Sequence, residues 1–243
     1  MEAYSVLAEY YDEFMKDIPY DEWCGFVCDY LSKNNAADAK LLELGCGTGN
    51  ISFRLEKAGY DVTATDISMP MLKKALQKKK KCRSKIRFGL MDMRSIMIEE
   101  QFDIIVSLCD SMNYLMDEYE LKSVFRGVEK ILAPNGLYIF DMKTKAYYEE
   151  ISDLTFMDEI ENGSYIWENF FDEKTGDNNY YLTFFMKKCF GLYKKYYEEQ
   201  IQHVFEDEII QKTARDAGLR IRDILTLEGS KERIYYVMEK SEI

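Results

Sequence analysis

The segment Glu43-Leu44-Gly45-Cys46-Gly47-Thr48-Gly49-Asn50 places three glycines within five residues, between an apolar run and a helical stretch. Glycines there let the backbone turn tightly and approach a ligand, and the following helix offers unpaired N–H groups at its start. Asp66 comes 21 positions after Gly45, at the end of the next apolar run, where a carboxylate can accept both hydroxyl hydrogens of a ribose. Read alone, the loop is also compatible with plain turn chemistry. With Asp66 it describes a nucleoside-containing ligand across the carboxyl ends of the strands. A nicotinamide dinucleotide site wants Gly-x-Gly-x-x-Gly to seat its pyrophosphate. Here the third glycine comes one residue early, and Glu43 precedes the first by two. An acid at this loop repels a pyrophosphate and suits a ligand with a positive charge.

Alternating elements must hold these residues. Apolar residues at helical spacing predict two helices between Tyr4 and Lys33, separated near Pro19. From Lys40, short apolar runs (Leu41 to Leu44, Asp61 to Thr65, Ile86 to Leu90, Phe102 to Leu108, Gly136 to Phe140) alternate with helical stretches (Ile51 to Ala58, Met69 to Lys80, Glu118 to Leu132). Short connections between them predict βαβ units and a parallel sheet covered on both faces. After Tyr148 the alternation stops. Residues 154–202 carry aromatic strand-like runs with turn signals at Asn162-Gly163 and Thr175-Gly176-Asp177-Asn178, an antiparallel insertion. A helix from Glu206 to Ala217 and strands from Arg220 to Leu227 and Arg233 to Glu239 follow, the last two predicted as a hairpin. The expected segments are a helical lid (1–38), an α/β core (39–152), the insert (153–203) and a return to the core (204–243).

Composition narrows the function. At 243 residues the chain is one elaborated domain, with 47% hydrophobic and 31% charged residues in the ordinary globular range. Its 32 basic and 44 acidic residues give a net charge of −12, a field that disfavours nucleic acid as the main ligand. The basic cluster between Lys73 and Arg87 is read as a solvated helix end favoured by the helix dipole, a local phosphate patch being the other reading. Six cysteines without a Cys-x-x-Cys pair, and one histidine, make no recurrent zinc signature, so no metal is expected. Reduced thiols and a start without an apolar signal region point to the cytoplasm, and no apolar run is long enough to span a membrane.

On the motifs above, the sequence resembles the class I S-adenosylmethionine-dependent methyltransferases from about Leu41 to Met142, with Leu90-Met91-Asp92-Met93, Phe102 to Leu108 and Leu132-Ala133-Pro134-Asn135-Gly136-Leu137 matching later motifs in order. The resemblance implies a doubly wound, mostly parallel seven-stranded sheet, Rossmann-like, with S-adenosyl-L-methionine as cofactor. It implies that Glu43, Gly45, Cys46, Gly47 and Gly49 wrap the cofactor's amino-acid part and that Asp66 binds the ribose. Ile67 would pack on the adenine, with Asp92 and the Met93 amide at its edge. More narrowly, Tyr10-Tyr11-Asp12, Pro19-Tyr20-x-x-Trp23 and Leu108-Cys109-Asp110-Ser111-Met112-Asn113-Tyr114-Leu115 resemble a branch of small bacterial methyltransferases with an antiparallel insert. That likeness makes Tyr11, Tyr20, Trp23 and Cys109 cofactor-side candidates, helix packing being the alternative for the aromatics.

Methyl transfer from a sulfonium is an in-line displacement that asks the protein mainly to position the nucleophile and exclude water. His203, just before the last helix, is the candidate base or acceptor ligand, and a structural histidine is the other reading. Asp110, Asn113 and Tyr114, after the fourth strand, are candidate acceptor contacts, with Asp110 alternatively a helix cap. Aromatics such as Trp167, Phe170, Phe184 and Phe185 either roof the site or pack the insert. An Asn/Asp-Pro-Pro-Tyr/Phe motif is missing after the fourth strand, so the expected acceptor is a small molecule, at O or N. Protein or RNA methylation, a nicotinamide-dependent oxidoreductase and a non-catalytic cofactor-binding subunit are the alternatives. A homodimer through the insert's unpaired strands is a further expectation.

Overall fold

A computed structural model describes residues 7–34 and 39–241. Residues 4–6 of the expected first helix lie outside the described residues. Helices α1 (Leu7–Phe14) and α2 (Tyr20–Lys33) precede the alternating core: β1 (Lys40–Leu44), α3 (Asn50–Lys57), β2 (Asp61–Asp66), α4 (Met69–Cys82), β3 (Arg87–Leu90), β4 (Phe102–Ser107), α5 (Glu118–Ile131) and β5 (Leu132–Lys143). Helix α6 (Lys145–Ile151) leads into β6 (Thr155–Ile160), β7 (Gly163–Asp172), β8 (Asp177–Lys187) and β9 (Tyr193–His203); α7 (Asp207–Asp216), β10 (Leu219–Thr226) and β11 (Arg233–Lys240) close the fold.

The seven-stranded sheet has the order β10-β11-β5-β4-β1-β2-β3. Its β1, β2, β3, β4 and β5 pair in parallel, while β11 runs antiparallel to both β5 and β10. The helices divide between its faces because each buries one apolar stripe. Trp23, Val27 and Leu31 of α2, with Ile51 and Leu55 of α3, pack on one face. Leu121, Val124, Phe125 and Val128 of α5, with Ile210 and Ala214 of α7, pack on the other. Fully buried strands such as Leu41-Leu42-Glu43-Leu44 are near-continuously apolar for this reason.

Two details differ from the sequence reading, while the expected antiparallel insert is present. Strand β5 begins at Leu132, so Pro134-Asn135-Gly136 lies within it, and its register against β4 shifts between Phe102 and Ile104. The extra residues form an irregular entry to the strand. Helix α6 was not anticipated: Thr144 caps it, its hydroxyl accepting from the Tyr147 N–H at 3.1 Å. The insert is a separate four-stranded antiparallel sheet, β6-β7-β8-β9, whose buried face carries Tyr180, Leu182, Phe184 and Met186. Among the described residues no helix is long and apolar enough to cross a membrane.

Candidate active site

At the carboxyl ends of β1, β2, β4 and β5 lies a cavity of about 560 Å³ that continues from the glycine loop to the inner face of the insert. The loop is tied to β2, since the N–H groups of Gly45 and Cys46 both donate to the Thr65 carbonyl, at 2.8 and 2.9 Å. Gly45 has φ 75°, and a Cβ there would lie 2.7 Å from Ser111 Oγ, so both conformation and space demand glycine. Gly49 has φ 83° and forms the N-cap of α3, shaping the loop without lining the cavity.

Asp66 holds the loop from the other side. Its Oδ2 accepts from the Gly47 N–H and its Oδ1 from the Ser68 N–H, both at 2.7 Å. Burial raises its pKa, opposed by those two N–H groups. Each oxygen keeps a further lone pair, the capacity a vicinal diol needs. Ile67 beside it lines the cavity and is 57% exposed, an apolar platform. Asp92 and Met93 complete this end. Asp92 is clamped by Arg94, whose Nη2 donates to Oδ2 at 2.8 Å, and this hydrogen bonding holds its carboxyl below the usual range.

Glu43 is buried and accepts a hydrogen bond from the Ser52 hydroxyl. Burial, with the Asp66 charge adding to it, pushes its pKa up to about 7 despite that bond. A cation entering the cavity would favour its ionised form.

Two sets of contacts from its last turn hold helix α1 over the cavity. Asp12 Oδ1 accepts from Thr48 Oγ1 at 2.7 Å, Lys78 Nζ at 3.0 Å and Asn50 Nδ2 at 3.1 Å, fastening the helix to the glycine loop and α4. Two residues on, Phe14 packs on Tyr165 and Phe184 of the insert, with ring centroids 5.0 and 4.9 Å apart. Tyr11, the residue before Asp12, faces the cavity, as do Tyr20 and Trp23 of α2. Tyr20 and Trp23 also pack structurally, under the cations of Arg54 and Arg233 respectively.

Cys109 and Asp110 take left-handed backbone angles (φ 60° and 55°) immediately after β4, a rare conformation for residues other than glycine. This turn carries Asp110 into a buried ionic cluster that the sequence reading did not foresee. Asp110 Oδ1 accepts from Arg233 Nη2 at 3.2 Å, and its Oδ2 from Gln202 Nε2 at 2.7 Å, with Lys143 Nζ at 3.4 Å. Arg233 also pairs with the buried Asp141, and with Glu232 at 2.7 Å. The side chain of Asp110 therefore does not cap a helix; α5 is capped instead by Asp117, which accepts from the Glu120 N–H at 2.8 Å. The available signal was Asp141 and Lys143, two charges on one face of an otherwise apolar strand.

Tyr114 lines the cavity and donates to Gln200 Oε1 at 2.8 Å. Asn113 does not line it: the side chain is fully buried, donating to the His203 carbonyl and accepting from the Lys143 N–H, both at 2.9 Å. His203 is not brought to the site either. Side chains alternate along a strand, so Gln202 of β9 points into the cavity and His203 points away. Its ring sits in a surface cleft with Gly176 and Phe205, with Nδ1 2.7 Å from Asp177 Oδ1. The base or acceptor-ligand role expected of His203 has no geometry to support it. Of the insert's named aromatics, Trp167 and Phe184 line the cavity and Phe170 and Phe185 do not.

Comparison with known proteins agrees with this geometry. A family model described as a methyltransferase domain matches residues 41–136. The chain is 32% identical to the Bacillus subtilis (strain 168) protein named "Putative methyltransferase YqeM" over 98% of this chain and 97% of that one. The crystal structure of an S-adenosylmethionine-dependent methyltransferase from Clostridium acetobutylicum ATCC 824 superimposes with a TM-score of 0.85 at 28% identity, covering 98% of this chain and 99% of that one. The sugar N-methyltransferase KedS8 from Streptoalloteichus sp ATCC 53650 shares the fold, with a TM-score of 0.82 at 19% identity over 96% and 93% of the two chains. These likenesses set aside the nicotinamide-dependent reading, and the chain belongs to the class I S-adenosylmethionine-dependent methyltransferases.

Proposed function

We propose that the enzyme methylates a small molecule, at an oxygen or nitrogen atom, in the part of the cavity beneath the insert. The observation carrying this reading is the continuity of one cavity of about 560 Å³ from Asp66 to Gln202, roofed by α1 and the insert. Ligand cavities run from about 300 to 1,000 Å³, so a nucleoside cofactor leaves space for a compact acceptor rather than a macromolecular surface. When bound, S-adenosylmethionine supplies a methyl group activated by its sulfonium.

In this reading Asp66 accepts from the ribose hydroxyls, Ile67 and Met93 flank the adenine, and Asp92 faces its edge. The loop from Gly45 to Gly49, with Cys46 and Glu43, holds the amino-acid part, and Tyr11, Tyr20, Trp23 and Cys109 wall the reacting end. Asp110 and Tyr114 position the acceptor; His203 takes no part. The fold shared with a sugar N-methyltransferase is compatible with a small acceptor.

The test is incubation with methyl-tritiated S-adenosylmethionine and, in separate arms, the low-molecular-weight, protein and RNA fractions of a bacterial lysate. Label confined to the low-molecular-weight fraction is expected. Label in protein or RNA alone would overturn the small-molecule reading.

A further inference from the structure

Lys143 brings a cation into the acceptor end of the cavity, where the side chain is only 11% exposed. Its ammonium contacts the Tyr180 hydroxyl at 3.3 Å and Asp110 Oδ2 at 3.4 Å, two contacts for three N–H bonds, so one N–H is open among the described residues on a side chain that lines the cavity. The rings of Tyr147 and Tyr180 flank it, with centroids 5.6 and 5.5 Å from Nζ. Burial would lower the lysine's pKa, but Asp110 and the two tyrosines raise it well above its usual value, so it stays charged.

The Asp110 carboxylate is engaged mainly within the protein. Arg233, Gln202 and Lys143 already occupy its two oxygens. Lys143 and Arg233 are balanced by Asp110, Asp141 and Glu232 within the cluster, so what Lys143 offers a ligand is a charged hydrogen-bond donor, which is met most strongly by an anionic oxygen.

The proton balance points the same way. Removing a proton from a hydroxyl or an ammonium calls for a base matched to neutral pH. The chain's one histidine is turned out of the cavity. Burial would raise the Asp110 carboxyl, but Lys143 and Arg233 hold it below the ordinary range, making it a poor base. Burial also raises the Tyr147 and Tyr180 hydroxyls. The Glu43 carboxyl, pushed up to about 7, lies at the glycine-loop end of the cavity, so beside Lys143 the acceptor that needs no base is a neutral amine or a nucleophile that is already ionised, and the lysine cation favours the ionised one.

We propose that the acceptor is a small carboxylic acid, that Lys143 binds its carboxylate through the open N–H, and that the product is a methyl ester. The inference rests on the methyl-transfer reading of the same cavity. A carboxylate oxygen forms the bond to the methyl carbon as the carbon–sulfur bond breaks, the bonding pair passing to sulfur. The negative carboxylate and positive sulfonium become a neutral ester and a neutral thioether, and no proton moves.

The low-molecular-weight fraction labelled with methyl-tritiated S-adenosylmethionine is treated with mild alkali, and volatile methanol is counted. The expected result is that the label leaves as methanol and that Lys143→Met lowers ester formation by roughly tenfold or more, with affinity for S-adenosylhomocysteine changed by less than about twofold. The parent acid recovered from the hydrolysate is then titrated into protein saturated with S-adenosylhomocysteine, where Lys143→Met should lose binding and Lys143→Arg retain part of it. Label in an alkali-stable small molecule, or full acid binding by the methionine variant, would overturn the proposal. If Lys143→Met does not fold, the arginine variant carries the test, and unchanged acid affinity in it counts against a direct Lys143 contact. Failure of the wild-type protein to bind S-adenosylhomocysteine would instead overturn the reading of the cofactor site.

Discussion

Arg233 lies over Trp23, its guanidinium carbon 3.9 Å from the indole ring centroid, while its N–H groups reach Asp141 and Asp110. One side chain thus joins the start of the last strand, the N-terminal helical pair and the turn after β4. Arg233 and Asp141 are 2% and 1% exposed, so removing the cation leaves a buried carboxylate unpaired. Arg233→Met should destabilise the fold by about 3–5 kcal/mol, and Arg233→Lys should recover only part because an ammonium lacks the planar fork. Urea denaturation checks both; a loss below about 1 kcal/mol would mean that the pair is not buried as described.

Glu43 gives a pH dependence with a definite sign. Its carboxyl shifts from the ordinary 4.5 to about 7 because burial disfavours the charge. A raised folded-state value means that the fold favours the protonated form. The resulting stability is fully present below pH 4.5 and is lost as pH rises to about 7 and beyond. Relative to wild type, Glu43→Gln should therefore gain stability between pH 5 and 8, on the order of 3 kcal/mol at most. Denaturation at the two pH values checks this, and a difference independent of pH would contradict it. Binding a cation beside Glu43 should also release a proton near neutral pH, seen as a buffer-dependent enthalpy in calorimetry.

Gly45 and Ser111 should behave as a coupled pair. Gly45→Ala places a methyl group 2.7 Å from Ser111 Oγ at a positive φ, and should cost about 1–3 kcal/mol. Adding Ser111→Gly relieves the clash but not the backbone strain, so the double variant should recover part of the loss. A double-mutant cycle with no coupling would show that strain alone sets the cost.

The Asp12 latch predicts a binding effect without a large stability effect. Its carboxylate is 44% exposed, so the ion pair with Lys78 contributes about 1 kcal/mol or less. Asp12→Ala should leave denaturation nearly unchanged, weaken S-adenosylhomocysteine binding a few-fold, and speed proteolysis near α1. Unchanged affinity and unchanged cleavage would separate Asp12 from closure.

His203→Gln should leave methyl transfer unchanged, because the ring faces the Asp177 side of β9. Loss of turnover with intact folding would return the histidine to the reaction.

Much of the glycine-loop end of the cavity was legible because it is local in sequence. Gly45 to Gly49, Asp66 and Ile67 sit at strand ends, where alternation and turn chemistry fix their position. The end beneath the insert was not legible, because it is assembled from distant segments. Lys143, Gln202 and Arg233 meet Asp110 only through the antiparallel pairing of β11 with β5 and the return of β9. His203 was misplaced for a related reason: a shift of one residue along a strand exchanges its two faces, and the sequence did not show which face of β9 met the cavity. The left-handed turn at Cys109 and Asp110 carries no glycine to announce it.

The most direct test of the account is calorimetric titration of S-adenosylhomocysteine into wild type and Asp66→Ala, with NADH as the comparison. The account predicts dissociation near the micromolar range for wild type, a loss of about 1.5–3 kcal/mol in the variant, and no NADH binding. Equal affinity of the two proteins for S-adenosylhomocysteine would contradict the placement of the cofactor's ribose on Asp66, the contact on which the rest of the site is built.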